Sequence, residues 1–154
     1  MIVGIRRAAA LTALIAFAAP AYADWETTNW GMSPDETLAA LDGASSHTPA
    51  AAELFEYAGA TYAPLVTLPH AVDGIEGEAT LLFDTNKALQ FVVFTPGEIA
   101  DCDALGAALT ERYGDTDATG FGATAIYNWE DGGDIVRFTN STDAGFCNLN
   151  YGPS

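Results

Sequence analysis

In the second half of the chain, apolar side chains recur at every other position. Ala79, Leu81 and Phe83 alternate with Thr80 and Leu82, and Leu89, Phe91 and Val93 alternate with Gln90 and Val92. A period of two puts one set of side chains on one face of a strand. The cluster Asp84-Thr85-Asn86-Lys87 between the two runs predicts an antiparallel turn. Further on, Ala125, Tyr127 and Trp129 form one face of a strand, Val136 and Phe138 that of a second, and Cys147, Leu149 and Tyr151 that of a third. Glu130-Asp131-Gly132-Gly133-Asp134 joins the first two as a tight hairpin, because Asp-Gly tolerates the positive φ such turns need. Residues 61–68 have strand composition, but Pro64 and Pro69 confine them to a sheet edge.

Elsewhere the period lengthens to that of a helix. Ser33-Pro34-Asp35-Glu36 is a strong helix start. The serine caps, the proline fits the first helical position, and the glutamate returns to the cap's N–H. Gly43 ends this helix after about two turns. Thr48 is read as the cap of a second helix over 48–57, stopped by Gly59. Asp101 is read as the cap of a third, with Cys102, Leu105 and Leu109 on one stripe, running to about Tyr113 and ending at Gly114. The order is helix, strands, helix, strands, and the halves 33–94 and 101–151 look like one unit used twice. The expected fold is one α+β domain, an antiparallel sheet with short helices on one face.

Residues 1–23 read as an address. Arg6 and Arg7 precede an apolar run over 8–19 and then Ala21-Tyr22-Ala23, the order of a signal peptide cleaved after Ala23. The run is too short to span a bilayer, so no membrane insertion is expected after processing. The arginine pair lacks the flanking residues of a twin-arginine leader, so ordinary export to the periplasm or the exterior is expected. Cys102 and Cys147 would then meet oxidising conditions. Each lies on an apolar face, so a structural disulfide is expected between them; redox chemistry normally needs a closer C-x-x-C pair.

Charge narrows the function classes. The whole chain carries 21 acidic against 5 basic residues, a formal net charge of −16. Beyond residue 23, Lys87, Arg112 and Arg137 face all 21 acids, which makes −18. Phosphate neutralisation needs clustered cations, so nucleic acid is excluded as a partner. An acidic surface serves solubility first and favours a cationic protein as partner second.

Trp30-Gly31-Met32-Ser33-Pro34-Asp35-Glu36 resembles the helix start of small exported bacterial proteins of unknown function. More loosely it is similar to the β-lactamase-inhibitor proteins and the small lipoprotein of outer-membrane assembly. Leu105-Gly106-Ala107-Ala108-Leu109 with Tyr113-Gly114 resembles the later helix of the exported proteins. The resemblance implies short helices paired with antiparallel strands, and a protein that binds other proteins instead of catalysing. The lipid-accepting cysteine of the lipoprotein is missing.

Candidate chemistry is sparse. Asp115, Asp117 and Thr119, followed by Gly120, match the opening of a calcium loop, but its twelfth position is Ile126 where a bidentate Glu belongs. His47 and His70, with Asp73, Glu76 or Glu78, offer zinc ligands without a helical H-x-x-x-H spacing. Ser45-Ser46-His47 lacks a nucleophile elbow, and no glycine-rich phosphate loop calls for a nucleotide cofactor. Trp25, Trp30, Tyr57, Tyr62, Tyr127 and Trp129 are core residues or a sugar- or peptide-binding face. Asn140-Ser141-Thr142 is a sequon that matters only in a eukaryotic secretory route. The first functional expectation is a non-catalytic protein-binding module with an acidic surface for a cationic protein, an inhibitor being one form of it. The rivals are a small metal-dependent hydrolase using His47 and His70, and a calcium-stabilised structural domain.

Overall fold

The structure is a computed structural model that describes residues 24–154, so the leader read at 1–23 lies outside the described residues. Eight antiparallel strands form one sheet: β1 (Ser45–Ser46), β2 (Phe55–Tyr57), β3 (Ala60–Val72), β4 (Ile75–Phe83), β5 (Leu89–Pro96), β6 (Ala125–Asp131), β7 (Asp134–Ser141) and β8 (Phe146–Pro153). The two α-helices are α1 (Pro34–Ala40) and α2 (Cys102–Tyr113). The spatial order is β1-β3-β4-β5-β8-β7-β6, with β2 paired to β3 off this path. Strand thus outweighs helix, and the α+β expectation holds only in this loose sense.

α2 precedes the meander β6-β7-β8, while α1 is followed by β1 and β2 before the meander β3-β4-β5; the last strands of the two meanders pair at the centre, Val92 with Tyr151 and Phe94 with Leu149. Register decides which side chains share a face. Leu68, Ala79 and Phe94 stand in one row, and Leu81, Val92, Tyr151 and Val136 in another. Both rows point to the side that carries the helices. There Leu41, Val66, Leu81, Phe83 and Val92 make one buried cluster, with Leu38 of α1 packed against it. Leu105 and Leu109 of α2 make a second with Phe94, Phe138 and Leu149. Each fully buried Leu or Phe contributes about 1.5–3 kcal/mol relative to exposure.

With seven residues α1 is too short to persist alone. The expected capping box forms: the Glu36 N–H donates to Ser33 Oγ at 3.3 Å, and the Ser33 N–H donates to Glu36 Oε2 at 2.8 Å. The Ser33 N–H, and then its hydroxyl, holds the Glu36 carboxyl below its ordinary pKa. A lowered pKa in the folded state stabilises at neutral pH, and that contribution is lost as pH falls through the lowered value. For α2, a 3₁₀ turn at Ile99–Asp101 leads in, and Asp101 makes no side-chain cap bond. The helix stops at Gly114, whose φ of 92° suits glycine.

The helix read over 48–57 is corrected. Ala51–Glu53 is a single 3₁₀ turn, and Phe55–Tyr57 is a strand paired to Ala60–Tyr62. Ala58 and Gly59 sit at φ 52° and 81°, a two-residue turn with both central residues left-handed, which sets up a hairpin in place of a second helical turn. The predicted edge strand is longer than 61–68 and is not the outermost, since β1 pairs with Val66 and Thr67 and β2 with Ala60–Tyr62; Pro64 and Pro69 fall where no outer strand pairs. Outside β3 only the two residues of β1 and the three of β2 pair with it, and a bulge lies between Pro64 and Val66.

Cys102 and Cys147 are joined by a disulfide with their Cα atoms 6.0 Å apart. Both are buried among Leu105, Phe138 and Leu149, so the bond fixes the start of α2 to the start of β8 inside the second cluster.

Candidate functional site

Between the two clusters, on the helix side, the sheet leaves a cleft of about 580 Å³. Its floor is Tyr151 of β8, which packs against both clusters. One wall is the entry segment. Trp25 is buried there, held by a backbone bond from the Thr28 N–H to its carbonyl at 2.9 Å and by the Thr28 hydroxyl donating to the same oxygen at 2.7 Å. The opposite wall is the β6–β7 hairpin, whose glycines at 132 and 133 have φ of 62° and 99°. Trp30 ties the walls together: its indole N–H donates to Asp134 Oδ1 at 2.8 Å, and its backbone N–H donates to Asp24 Oδ2 at 2.6 Å.

Asp24, Glu26, Asp131 and Asp134 therefore converge on one opening although 110 positions separate the first from the last. Two basic side chains face them. Arg112 at the end of α2 pairs with Asp73 and lies over the Tyr113 ring at 5.9 Å, so its charge is offset locally. His70 meets Trp25 in a tilted arrangement with ring centroids 5.1 Å apart, lies edge-on to Phe94 and stands 3.7 Å from Glu26 Oε1. Burial pushes the Tyr151 phenol well above its ordinary pKa; Tyr113, Asp73 and Glu26 push the same way and Arg112 opposes them. Tyr151 thus stays neutral, and the cleft presents carboxylates over aromatic rings. Carboxylates attract an ammonium or guanidinium group electrostatically, and ring faces add cation–π attraction.

The sheet separates His47 from His70. His47 donates or accepts at 2.9 Å with Glu53 in a second cavity, which also takes in Thr67, Glu78 and Thr80. Those three residues alternate with Leu68, Ala79 and Leu81, so this cavity lies on the face opposite His70. The Ala50 N–H, and then His47, hold the Glu53 carboxyl below its ordinary pKa. Asp73 is engaged by Arg112, and Glu76 stands opposite Ala71 on the His47 side. Among the described residues, no group of three or more His, Cys, Asp or Glu is placed to hold a metal ion.

The calcium-loop candidates lie along the edge of β6. Thr119 exchanges backbone bonds with Ile126 at 2.8 and 2.6 Å, and its hydroxyl donates to the Ile126 carbonyl at 3.2 Å. That bridge turns the Thr119 side chain to the strand, while Asp115 and Asp117 are exposed. The aromatic candidates divide. Tyr127 and Trp129 stack on the helix side, Trp25 lines the cleft, Trp30 bonds its rim residue Asp134, and Tyr57 and Tyr62 stand on the other face of the sheet. Asn140 of the sequon donates to Asp103 Oδ1 at 3.0 Å. Sequence reasoning did not find the cleft. By sequence alone its acids count as bulk charge, and Asp131 and Asp134 as turn residues.

No family model, curated protein or solved structure matches the chain. No helix among the described residues is long and apolar enough to cross a membrane.

Proposed function

We propose that the protein is an exported, non-catalytic module that binds a cationic partner protein by taking a Lys or Arg side chain of that partner into the Tyr151 cleft. The observation that supports this reading is the convergence of Asp24, Glu26, Asp131 and Asp134 over Trp25 and Tyr151, with the one nearby guanidinium already offset by Asp73. The formal charge of −18 beyond residue 23 would steer such a partner at long range, and the cleft would give register. The resemblance of Trp30–Glu36 to small exported proteins agrees with a binding role. An inhibitor would be one form of it. The hydrolase reading has no comparable support, since His47 and His70 line cavities on opposite faces.

The test is affinity capture from an envelope extract, followed by titration of the purified captured protein. The expected partner is basic, and binding weakens steeply between about 0.05 and 0.5 M salt as the Debye length contracts. Glu26→Gln with Asp131→Asn should weaken it at least about tenfold, the scale of one charge-assisted contact. A captured protein that is not basic, or binding indifferent to salt and to both substitutions, would overturn the proposal.

A further inference from the structure

The face of the sheet away from the helices carries a groove of about 410 Å³, the size of a small-molecule site. The β2–β3 hairpin curls over one side of it. Tyr57 and Tyr62 both meet the Phe91 ring edge-on, with centroids 6.0 and 5.0 Å away. Gly152 lets that ring lie flat on β8, since a Cβ there would stand 2.5 Å from Phe91 Cδ1. Ile135 and Phe146 wall the other side, and both are exposed. Large apolar side chains left in water around a concavity mark a binding surface.

The groove holds two charged side chains. Glu56 is engaged at one rim, where its Oε1 accepts the Thr61 hydroxyl at 2.6 Å. Arg137 is half-buried, flanked by Thr139, Asn148 and Asn150. Its Nε–H donates to Asn128 Oδ1 at 2.8 Å, which fixes the plane of the guanidinium. Among the described residues no carboxylate pairs with it, although the chain has 21 acids to offer. With Nε taken, the remaining four N–H donors are on the two Nη atoms, the arrangement that grips a carboxylate. A fixed, unpaired guanidinium within an apolar, ring-lined groove complements a molecule with one carboxylate and a hydrocarbon body.

We infer that this groove binds an unbranched aliphatic monocarboxylate, its carboxylate on Arg137 and its chain along the wall formed by Tyr57, Tyr62 and Phe91. This site lies on the opposite face from the Tyr151 cleft and does not depend on the reading of that cleft. The test is calorimetric titration of the purified protein, with the Cys102–Cys147 bond intact, using dodecanoate below its micellar concentration. One dodecanoate per chain is expected, with methyl dodecanoate binding at least tenfold more weakly because it presents no charge to the guanidinium. Arg137→Gln should cost dodecanoate at least tenfold and leave the ester unchanged, while Tyr62→Ala should weaken both. Comparison of acid with ester on the unaltered protein needs no variant to fold. Absence of dodecanoate binding, equal binding of acid and ester, or full affinity in Arg137→Gln would overturn the inference.

Discussion

At the scale of single residues, close packing outweighs local preference at Gly106. Alanine in place of glycine favours a helix by about 1 kcal/mol. Here the added Cβ would stand 2.9 Å from Phe138 Cε1, and Phe138 is fully buried between α2 and β7, so its ring has little room to yield. Overpacking of this kind costs about 1–3 kcal/mol, which exceeds the gain. Gly106→Ala should therefore lower stability by about 1 kcal/mol in urea unfolding, and a stabilised variant would show that the ring can move. Thr37 shows the opposite imbalance: it is fully buried, and its hydroxyl finds no hydrogen-bond partner among the described residues. Side chains of this sort were legible in the sequence only by type. Leu105, Leu109, Phe138 and Leu149 announce themselves by period, whereas Thr37 follows the polar Asp35-Glu36 start of its helix and is fully buried all the same. The Thr27 hydroxyl donates to the Ala40 carbonyl at 2.5 Å and ties the entry segment to the end of that helix.

At the scale of elements, the disulfide supplies what a short helix and a short strand lack. Closing 45 residues is worth about 4 kcal/mol in the chain-entropy account. Replacing both cysteines by alanine should cost about 3–4 kcal/mol in chemical unfolding and broaden amide exchange across α2 and β8 first. A loss below about 1 kcal/mol would mean that packing alone positions α2. This pairing could be read in advance because two independent periods, 3.6 in the helix and 2 in the strand, turned both sulfurs toward one layer. The strand at 55–57 was not readable that way. Its alternation is only three residues long, and the preceding Thr-Pro is an equally good helix start. Ala58-Gly59 was the deciding signal, but a left-handed alanine is rare enough to escape a reading by residue type.

At the scale of the whole molecule, a formal −18 on residues 24–154 sets self-repulsion against compactness. Raising salt from about 0.02 to about 0.5 M shortens the Debye length from roughly 20 Å to about 4 Å, so the melting temperature should rise by several degrees before any specific ion effect. A flat or falling Tm would place the charges far enough apart to ignore one another. Neither the cleft nor the groove was legible at this scale. Each is assembled from strands distant in sequence, and the alternating pattern says which residues share a face without saying which face the helices leave bare. The segment between α2 and β6 carries Phe121, which is 94% exposed, and exposed tips of that kind are where proteases cut. That segment lies between Cys102 and Cys147. A chain clipped there would stay in one covalent piece and would part into two fragments only when a reductant opened the sulfur bridge.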